Sequence, residues 1–333
     1  MLEKYRKYID KIDNDIANLL NKRKELTQQI MDYKLNNLLP INNINRENEI
    51  INQLINNFHN LNPSLIKKIF NAIFNDSKSE NVLKESFQTI NEYLTIRPLI
   101  IAGPCTVESK LQINNIANDI AQIGIKFLRG GCFKPRTCAN SFQGLEDEGV
   151  HFLYDAARKN KMYTVSEILD LQQYIRNEEY IDIIQIGSRN MTSYGLLKSI
   201  GKATAKTNKY VLLKRGMSAT INEFIAAADY ILQAGNPNVI LCLRGIRTFE
   251  QIDSTFRFTP DLSGILELKE KTKLPILFDP SHSTGSNKYV KSISKAALEL
   301  GADGLMLEVH NSPQDAIVDS NQAIHPTELK EIV

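Results

Sequence analysis

The chain has 333 residues and a formal net charge of +2, with 42% of its residues hydrophobic and 23% charged. These values are ordinary for a soluble globular protein, and the length suits one large domain and a smaller one. A net charge so near zero argues against a protein-wide basic field for nucleic acid or membranes. No run approaches about 18 apolar residues and the first residues are charged, so we expect neither a membrane span nor a signal peptide. The four cysteines lack paired spacing, which indicates a reduced, cytoplasmic setting.

The N-terminal segment begins with a long helical pattern. Apolar side chains recur at three- and four-residue steps without an intervening Gly or Pro: Ile9, Ile12, Ile16, Leu19, Leu20, Leu26, Ile30 and Tyr33. The pattern predicts one amphipathic helix of about 33 residues, about 50 Å long. Two short neighbouring helices cannot bury so long a stripe, so we expect a partner chain to cover it.

Two shorter helices follow in the pattern. The Asn-rich stretch around Pro40 predicts a loop, and residues 45–58 predict a second helix. Asn62-Pro63 predicts an N-cap and an N1 proline for a third helix that continues through Asp76. A polar, helix-compatible connector comes next. The predicted organisation is an all-helical three-helix domain, a connector and a larger domain, over residues 1–85, 86–97 and 98–333.

The larger domain contains eight short apolar runs, each ending at polar or charged residues. The runs are residues 99–102, 126–128, 162–165, 181–186, 210–213, 239–243, 274–278 and 304–307. Such runs suit parallel strands covered on both faces, and the amphipathic segments between most of them favour βαβ units. Eight units in about 250 residues predict an α/β fold of the closed (βα)8 TIM-barrel type, with its active site at the carboxyl ends of the strands. An open doubly wound sheet is the alternative, but it does not explain why so many runs end in reactive side chains.

Four potential metal ligands lie near the ends of the first, seventh and eighth predicted strands: Cys105, His282, Glu308 and Asp319. A thiolate, an imidazole and two carboxylates suit a divalent transition ion. Taken alone, Cys105 could be a small buried apolar residue and His282 could cap a helix. Their convergence at one barrel mouth favours a metal site.

Six cations also fall at or just beyond strand ends: Arg129, Lys134, Arg136, Arg189, Lys214 and Arg244. A single such residue is often part of a solvated rim. Six together would repel one another unless anions occupy the site, and phosphate and carboxylate groups are the natural occupants. Thr137 and Ser188 can add hydroxyl donors. The pattern predicts substrates that together carry several negative charges.

Seven strings in this domain closely resemble those of the 3-deoxy-D-arabino-heptulosonate 7-phosphate (DAHP) synthases. They are Gly103-Pro104-Cys105, Lys134-Pro135-Arg136-Thr137, Ser141-Phe142-Gln143-Gly144, Gln185-Ile186-Gly187-Ser188-Arg189-Asn190-Met191, Leu213-Lys214-Arg215-Gly216, Arg244-Gly245-Ile246-Arg247-Thr248-Phe249-Glu250 and Asp279-Pro280-Ser281-His282. The resemblance extends from about residue 97 to the C-terminus. The related 3-deoxy-octulosonate phosphate synthases share the barrel but lack the Lys-Pro-Arg-Thr string.

The resemblance implies condensation of phosphoenolpyruvate with erythrose 4-phosphate, assisted by a divalent metal ion. Mn²⁺ is expected, with Fe²⁺, Co²⁺ or Zn²⁺ as alternatives. The implied metal ligands are Cys105, His282, Glu308 and Asp319. The groups implied to hold phosphoenolpyruvate are Arg129, Lys134, Arg189, Lys214 and Arg244, and those for erythrose 4-phosphate are Arg136, Thr137 and Ser188. Lys134 is the candidate for proton transfer at the new hydroxyl, and we expect neighbouring cations to lower its pKa.

Two stretches depart from this family. Leu243 stands where members usually carry Glu before the Arg-Gly pair, so we expect Arg244 to be held less firmly. Cys138-Ala139-Asn140 replaces the usual Ser-Pro-Tyr after Thr137. The ligand and phosphate-binding positions are kept, and an active synthase is expected.

The N-terminal segment resembles the small all-helical chorismate mutases. The matching residues are Arg6, Ile9-Asp10, Ile12-Asp13, Leu19-Leu20, Arg23, Lys34, Arg46-Glu47 and Ser77. Lys34 follows Arg23 by 11 residues, about three turns, so the two share a helix face. Arg6 lies about 100° around the same helix and cannot easily serve that pocket.

By this resemblance a dimer mate supplies Arg6, and Arg6, Arg23 and Arg46 bind the chorismate carboxylates. Lys34 contacts the ether oxygen, aided by Glu47 and Ser77, with Arg23 and Lys34 the catalytic pair. Asn43 replaces an acidic residue seen in many members, and Asn81 is shorter than the usual polar group near the ether oxygen.

Three interpretations of the helical segment remain open. It is a second enzyme, a sensor through which chorismate or prephenate damps the barrel, or a hairpin that serves only assembly. We expect the first two together, in a homo-oligomer that is a dimer or tetramer. For the barrel, the alternative is a different aldose phosphate, with the helices acting only as a regulator.

Overall fold

The computed structural model describes residues 2–36, 44–74, 94–136, 138, 140–207, 209–249 and 258–332. The chain divides into two compact units, Met1–Thr89 and Ile90–Val333, called here the N-terminal unit and the barrel unit. Within the described ranges, no helix combines the length and the apolar character that a membrane crossing requires.

The N-terminal unit contains the three predicted helices. Helix α1 spans Leu2–Asn36, α2 spans Ile44–Asn57, and α3 covers residues 63–74, at which point the described residues stop. The predicted cap is present, because Asn62 Oδ1 accepts a hydrogen bond from the Ser64 N–H at 2.8 Å. The predicted continuation of α3 to Asp76 lies outside the described residues.

The apolar stripe of α1 remains open to solvent. Ile9 and Ile12 are each 56% exposed and Ile16 is 50% exposed. Exposed apolar area of this extent along one helix is typical of a surface that another molecule covers.

The barrel unit is a closed barrel of eight parallel strands in chain order, which confirms the predicted (βα)8 fold. The strands are β1 Leu99–Gly103, β2 Phe127–Arg129, β3 Tyr163–Glu167, β4 Ile183–Ile186, β5 Tyr210–Lys214, β6 Val239–Leu243, β7 Ile276–Phe278 and β8 Gly304–Glu308. The helices are α4 Lys110–Gln122, α5 Glu146–Lys159, α6 Leu171–Asn177, α7 Tyr194–Thr204, α8 Ile221–Gln233, α9 Ser263–Lys271, α10 Pro280–Thr284, α11 Asn287–Glu299 and α12 Pro326–Leu329.

Alternate strand residues face opposite layers, and this alternation positions the site. One set joins the buried apolar cluster shared with the surrounding helices, and the other set points into the barrel. On β2, β5 and β8 the inward set ends in Arg129, Lys214 and Glu308, which are 4%, 3% and 0% exposed. These three charged side chains therefore lie at the same end of the barrel.

Leu243 belongs to the other set. It joins the apolar cluster between strands and helices together with Leu241, whereas the intervening Cys242 does not. The departure from the family at position 243 thus adds an apolar contact to the helical layer.

Candidate active site at the mouth of the barrel

A cavity of about 590 Å³ opens at the carboxyl ends of the strands. The structure brings all six predicted cations to its lining: Arg129, Lys134, Arg136, Arg189, Lys214 and Arg244. Arg247, which the sequence analysis did not single out, also lines it. Clustered guanidinium and ammonium groups attract phosphate and carboxylate groups, so the cavity suits anionic ligands.

The four predicted metal ligands also converge here. One donor atom from each of Cys105, His282, Glu308 and Asp319 lies within 4.8 Å of the other three, and these residues are called the ligand cluster below. Cys105 Sγ is 3.3 Å from Asp319 Oδ2, and His282 Nε2 is 3.4 Å from Glu308 Oε1. The mixed thiol, imidazole and carboxylate set, already gathered around one point, fits a divalent transition ion.

Local structure explains how each ligand reaches this point. Cys105 lies two residues after the end of β1, and Glu308 is the last residue of β8. His282 lies in the short helix α10, whose N-cap Asp279 accepts a hydrogen bond from the His282 N–H at 2.9 Å. Asp319 lies in the loop after β8 with φ +55°, a left-handed conformation that Asp adopts more readily than most residues.

Asp279 links the ligand cluster to the cation-lined cavity. Its Oδ2 lies 2.8 Å from His282 Nδ1 and also pairs with the Lys214 ammonium. Complete burial raises the pKa of Asp279, but His282 and Lys214 outweigh burial and hold that pKa well below its usual range. A carboxylate at the far nitrogen of a metal-binding histidine fixes the ring and its tautomer. Asp279 lies at the Nδ1 side of the His282 ring, and Nε2 lies on the side of the cluster.

Glu308 is held ionised by its surroundings. Arg129 Nη1 donates to Glu308 Oε1 at 2.8 Å. Burial raises the pKa of this carboxyl group, but His282, Arg129 and Lys134 lower it to about 2. Glu308 is therefore an anion throughout the physiological range.

Lys134 lies against the ligand cluster, and its pKa differs from the expectation. Its Nζ lies 3.2 Å from Cys105 Sγ and donates to the Cys105 carbonyl oxygen. Burial and Arg129 lower the pKa of Lys134, but Cys105, Glu308 and Glu167 raise it by more, so the net shift is upward. The predicted decrease was wrong, because the acidic groups around Lys134 raise its pKa by more than burial and Arg129 lower it.

Burial and the Glu308 carboxylate raise the pKa of the Cys105 thiol far above its usual value. A metal ion reverses this situation, since a coordinating thiol is deprotonated outright.

The cavity lining also includes two of the residues expected to hold the sugar phosphate. Arg136 and Ser188 line it, while Thr137 lies outside the described residues. Ser188 Oγ is buried and makes no hydrogen bond to the described residues, which leaves a hydroxyl donor for a ligand. A Cβ at Gly187 would stand 1.8 Å from Glu167 Oε1, so glycine there makes room for Glu167 at the cavity wall.

Arg244 is supported by an aromatic ring. Its guanidinium carbon lies 4.2 Å from the centroid of Phe258, and the two residues are 7% and 6% exposed. A desolvated cation–π contact contributes about 2 kcal/mol. Phe258 thus supports the Arg244 guanidinium. Leu243 cannot do so, because it lacks the carboxylate that the family usually carries at that position.

Sequence reasoning missed several contributing groups. Asp279 and Gln185 lie within the strings that carry the resemblance, and Glu167 lies just beyond the third predicted strand, so their position at strand ends was the available signal. Phe258 and Gln322 carry no such signal, because each meets its partner only through the fold.

The chorismate residues are described in part. Arg6 is exposed, and Arg46 Nη1 pairs with Glu49 Oε2 at 3.0 Å on the surface. Arg23 is half-buried, with its guanidinium 5.3 Å from the Phe74 ring centroid. The remaining predicted positions fall where the structure is not described: the side chains of Lys34 and Glu47, and the whole of Ser77, Asn43 and Asn81.

The chain matches known proteins over both units. Residues 92–333 match the model of the DAHP synthetase I family, and residues 5–82 match that of chorismate mutase type II. A phospho-2-dehydro-3-deoxyheptonate aldolase of Thermotoga maritima is 44% identical over 243 residues, covering 73% of this chain and 69% of that protein. A 2-dehydro-3-deoxyphosphooctonate aldolase of Geobacter sulfurreducens is 26% identical over 255 residues, covering 70% and 89%.

Two solved structures from Thermotoga maritima share the fold. The DAHP synthase crystal structure matches with a TM-score of 0.66 at 45% identity, over 70% of this chain and 66% of that one. A truncated form of 3-deoxy-D-arabino-heptulosonate 7-phosphate synthase matches with a TM-score of 0.63 at 41% identity, over 70% and 82%. With the closed barrel, the ligand cluster and the cation-lined cavity in place, these matches show that the chain belongs to the DAHP synthetase I family and carries a type II chorismate mutase domain at its N-terminal side.

Proposed function

We propose that the barrel unit condenses phosphoenolpyruvate with erythrose 4-phosphate and water to give DAHP and inorganic phosphate, the first step of the shikimate pathway. The observation that carries this proposal is the placement of six cations around one cavity, directly beside a four-residue ligand cluster. Two phosphorylated substrates, one with a carboxylate and one with an aldehyde, match that arrangement in charge and chemistry. The proposed extents are 1–85 for the mutase domain, 86–97 for the connector and 98–333 for the synthase.

The chain's own residues supply binding and proton transfer. Arg129, Lys134, Arg189, Lys214 and Arg244 hold the phosphate and carboxylate of phosphoenolpyruvate, and Arg136, Thr137 and Ser188 hold the sugar phosphate. This fixes the enol carbon beside the aldehyde carbon, which replaces a bimolecular encounter by a positioned one. As the new C–C bond forms, Lys134 donates a proton to the aldehyde oxygen. Water then adds to the cationic C2, its proton is lost, and the C2–O bond to phosphate breaks.

A divalent ion held by Cys105, His282, Glu308 and Asp319 would polarise the aldehyde oxygen. We propose Mn²⁺, with Fe²⁺, Co²⁺ or Zn²⁺ as alternatives, because the thiolate and imidazole favour transition ions over Mg²⁺. Free thiols at Cys105, Cys132, Cys138 and Cys242 support a reducing compartment, and we place the protein in the cytoplasm.

A paired assay tests the barrel reaction against its alternative, an octulosonate-type synthase such as the Geobacter sulfurreducens relative. Phosphate release from phosphoenolpyruvate is measured with four-carbon and five-carbon aldose phosphates at equal concentration. We expect the four-carbon substrate to give a kcat/KM at least about 100-fold higher, since a site built for one chain length discriminates through positioned polar contacts. A preference for the five-carbon substrate would contradict the assignment.

We further propose that the N-terminal unit converts chorismate to prephenate and relays prephenate as a feedback signal to the barrel. The rearrangement needs positioning and cations near the breaking ether bond, with no covalent catalysis. In this proposal Arg6 of a second copy, Arg23 and Arg46 bind the carboxylates. Lys34, Glu47 and Ser77 surround the ether oxygen.

We also propose a homo-oligomer, at least a dimer and more specifically a tetramer, and the exposed stripe of α1 supports the pairing of two copies. The exposed stripe of α1 includes Leu19 at 64% and Leu26 at 60% exposure, beside the isoleucines already described. A second copy presents the same stripe, and a twofold pairing buries both. Such pairing also brings an Arg6 to the pocket of the other chain.

Lys34→Ala is expected to lower mutase turnover by about 100- to 1,000-fold, the cost of removing one charge-stabilising donor. Synthase turnover is expected to stay unchanged, and Lys11→Ala, at an exposed position of the same helix, serves as the matched control. Chorismate consumption is measured for the full chain, with phosphate release recorded with and without prephenate.

Other outcomes separate the alternatives for this unit. Slowing of the synthase by prephenate, with no mutase turnover in the unmodified protein, identifies a sensor that is not an enzyme. A failure of both chorismate and prephenate to bind identifies a purely structural helical unit.

A further inference from the structure

One buried residue outside the predicted site contacts two members of the ligand cluster, one through its side chain and one through its backbone. Gln322 follows Asp319 by three residues and is 2% exposed. Its Nε2 donates a hydrogen bond of 2.6 Å to Glu308 Oε2, and its backbone N–H donates to the Asp319 carbonyl oxygen at 3.2 Å. It is not among the described residues that line the cavity, so it has no direct access to substrate.

The hydrogen bond from Gln322 makes the two oxygens of Glu308 unequal. Oε1 lies 3.4 Å from His282 Nε2 and faces the rest of the cluster, whereas Oε2 is committed to the Gln322 amide. The terminal torsion of a glutamate is broad and gives little orientation by itself. The amide therefore selects which oxygen is presented to a metal ion.

The contact between Arg129 and Glu308 also depends on which Glu308 oxygen is free. It contacts Glu308 through Nη1 and Oε1 at 2.8 Å, a single hydrogen bond. Guanidinium and carboxylate groups prefer a bidentate pair, with two parallel hydrogen bonds. With Oε2 released, Glu308 could turn to form that pair, which would draw it away from a bound ion and draw Arg129 away from its anionic substrate.

The same residue also ties the Asp319 loop to β8. The turn from Asp319 to Gln322 is followed by a hydrogen bond from the Ile324 N–H to the Glu308 carbonyl oxygen at 2.9 Å. The Asn287 N–H donates to the Asn321 carbonyl oxygen at 2.7 Å, which fixes the other side of the loop. Gln322 thus connects Glu308, through its side chain, with the backbone of Asp319 in the loop that follows β8.

We propose that Gln322 is a positioning residue that sets the orientation of Glu308 and the place of Asp319 for a divalent cation. This inference rests on the proposed metal site of the synthase. Residues that orient metal ligands typically contribute about 10- to 100-fold to metal affinity. We assign a contribution of this size to the side-chain amide of Gln322.

The test compares Gln322→Met with the unmodified full-length protein. Methionine keeps the length of the side chain and removes the donor. Mn²⁺ affinity is measured by competition with a chromophoric chelator, and we expect it to weaken by about 10- to 100-fold. The Co²⁺-loaded protein is expected to retain a thiolate-to-cobalt charge-transfer band from Cys105, while its ligand-field bands shift because the Glu308 oxygen has moved.

Two further variants keep the result interpretable. Gln314 lies on the same loop at an exposed position, and Gln314→Met is expected to leave the Mn²⁺ affinity and the Co²⁺ spectrum unchanged. Gln322→Asn keeps a buried amide that is one methylene too short to reach Glu308, and it carries the same expectation as Gln322→Met if the latter does not fold. Melting of each metal-free variant shows that the fold is intact.

The outcomes distinguish this inference from the site on which it rests. If the unmodified protein shows neither Mn²⁺ binding nor a cobalt–thiolate band, the metal site itself is refuted, and the role of Gln322 with it. If the unmodified protein binds Mn²⁺ and the folded Gln322 variants bind it within twofold with the same cobalt spectrum, only the role of Gln322 is overturned.

Discussion

Lys134→Met is expected to lower the turnover number for phosphate release by about 100- to 10,000-fold, the usual contribution of a positioned general acid. The ammonium lies 3.2 Å from Cys105 Sγ, between the ligand cluster and the cation-lined cavity. Its raised pKa keeps it protonated at neutral pH until charge develops on the aldehyde oxygen. Methionine keeps much of the apolar stem and removes both the proton and the charge.

Two comparisons separate proton transfer from simple binding of phosphoenolpyruvate. Lys134→Arg keeps a positive charge but does not release a proton, so it is also expected to be slow. Lys198→Met removes an exposed lysine on α7 and is expected to behave like the unmodified protein. A rise in KM for phosphoenolpyruvate with kcat unchanged in Lys134→Met would show that this residue only binds.

Removing the divalent ion is expected to have an equally large effect. Prolonged treatment with a chelator should abolish phosphate release, and added Mn²⁺ should restore it, because polarisation of the aldehyde depends on the ion. Mutase turnover in the same sample provides an internal control, since the ligand cluster belongs entirely to the barrel unit. Full synthase turnover in metal-free protein would refute the ligand assignment.

Cys105→Ala sharpens this test by removing one ligand. We expect Mn²⁺ affinity to fall by more than the roughly 10- to 100-fold that loss of an outer partner costs. Cys138→Ser is the matched thiol control, because Cys138 is exposed and serine is the residue usual in the family at that position. An equal loss in both variants would argue against a specific role for Cys105.

The eight strands and their order could be predicted because parallel strands buried on both faces leave short apolar runs in the sequence. The predicted ends fell short by one or two residues at β2, β3, β5 and β8, where a polar residue closed the run but belongs to the strand, whereas β6 and β7 end where predicted. Arg129 and Lys214 continue β2 and β5, paired with Val165 and Cys242. Backbone hydrogen bonds do not depend on side-chain polarity, so the ladder extends one or two residues beyond the apolar pattern.

The convergence of Cys105, His282, Glu308 and Asp319 could also be predicted, since every strand of such a barrel ends at the same mouth. The sequence by itself thus determined the barrel, the helical N-terminal segment and the set of groups at the site. Only the tertiary structure decided how those groups act on one another. The pKa of Lys134 rises because the acidic groups around it outweigh burial and Arg129. Leu243 faces the helices because of strand parity, and Gln322 reaches Glu308 because a turn folds the loop back. These outcomes depend on interatomic distances of a few ångströms and on the directions of side chains. Electrostatic and hydrogen-bond energies are sensitive to both, and the order of residues along the chain does not specify either.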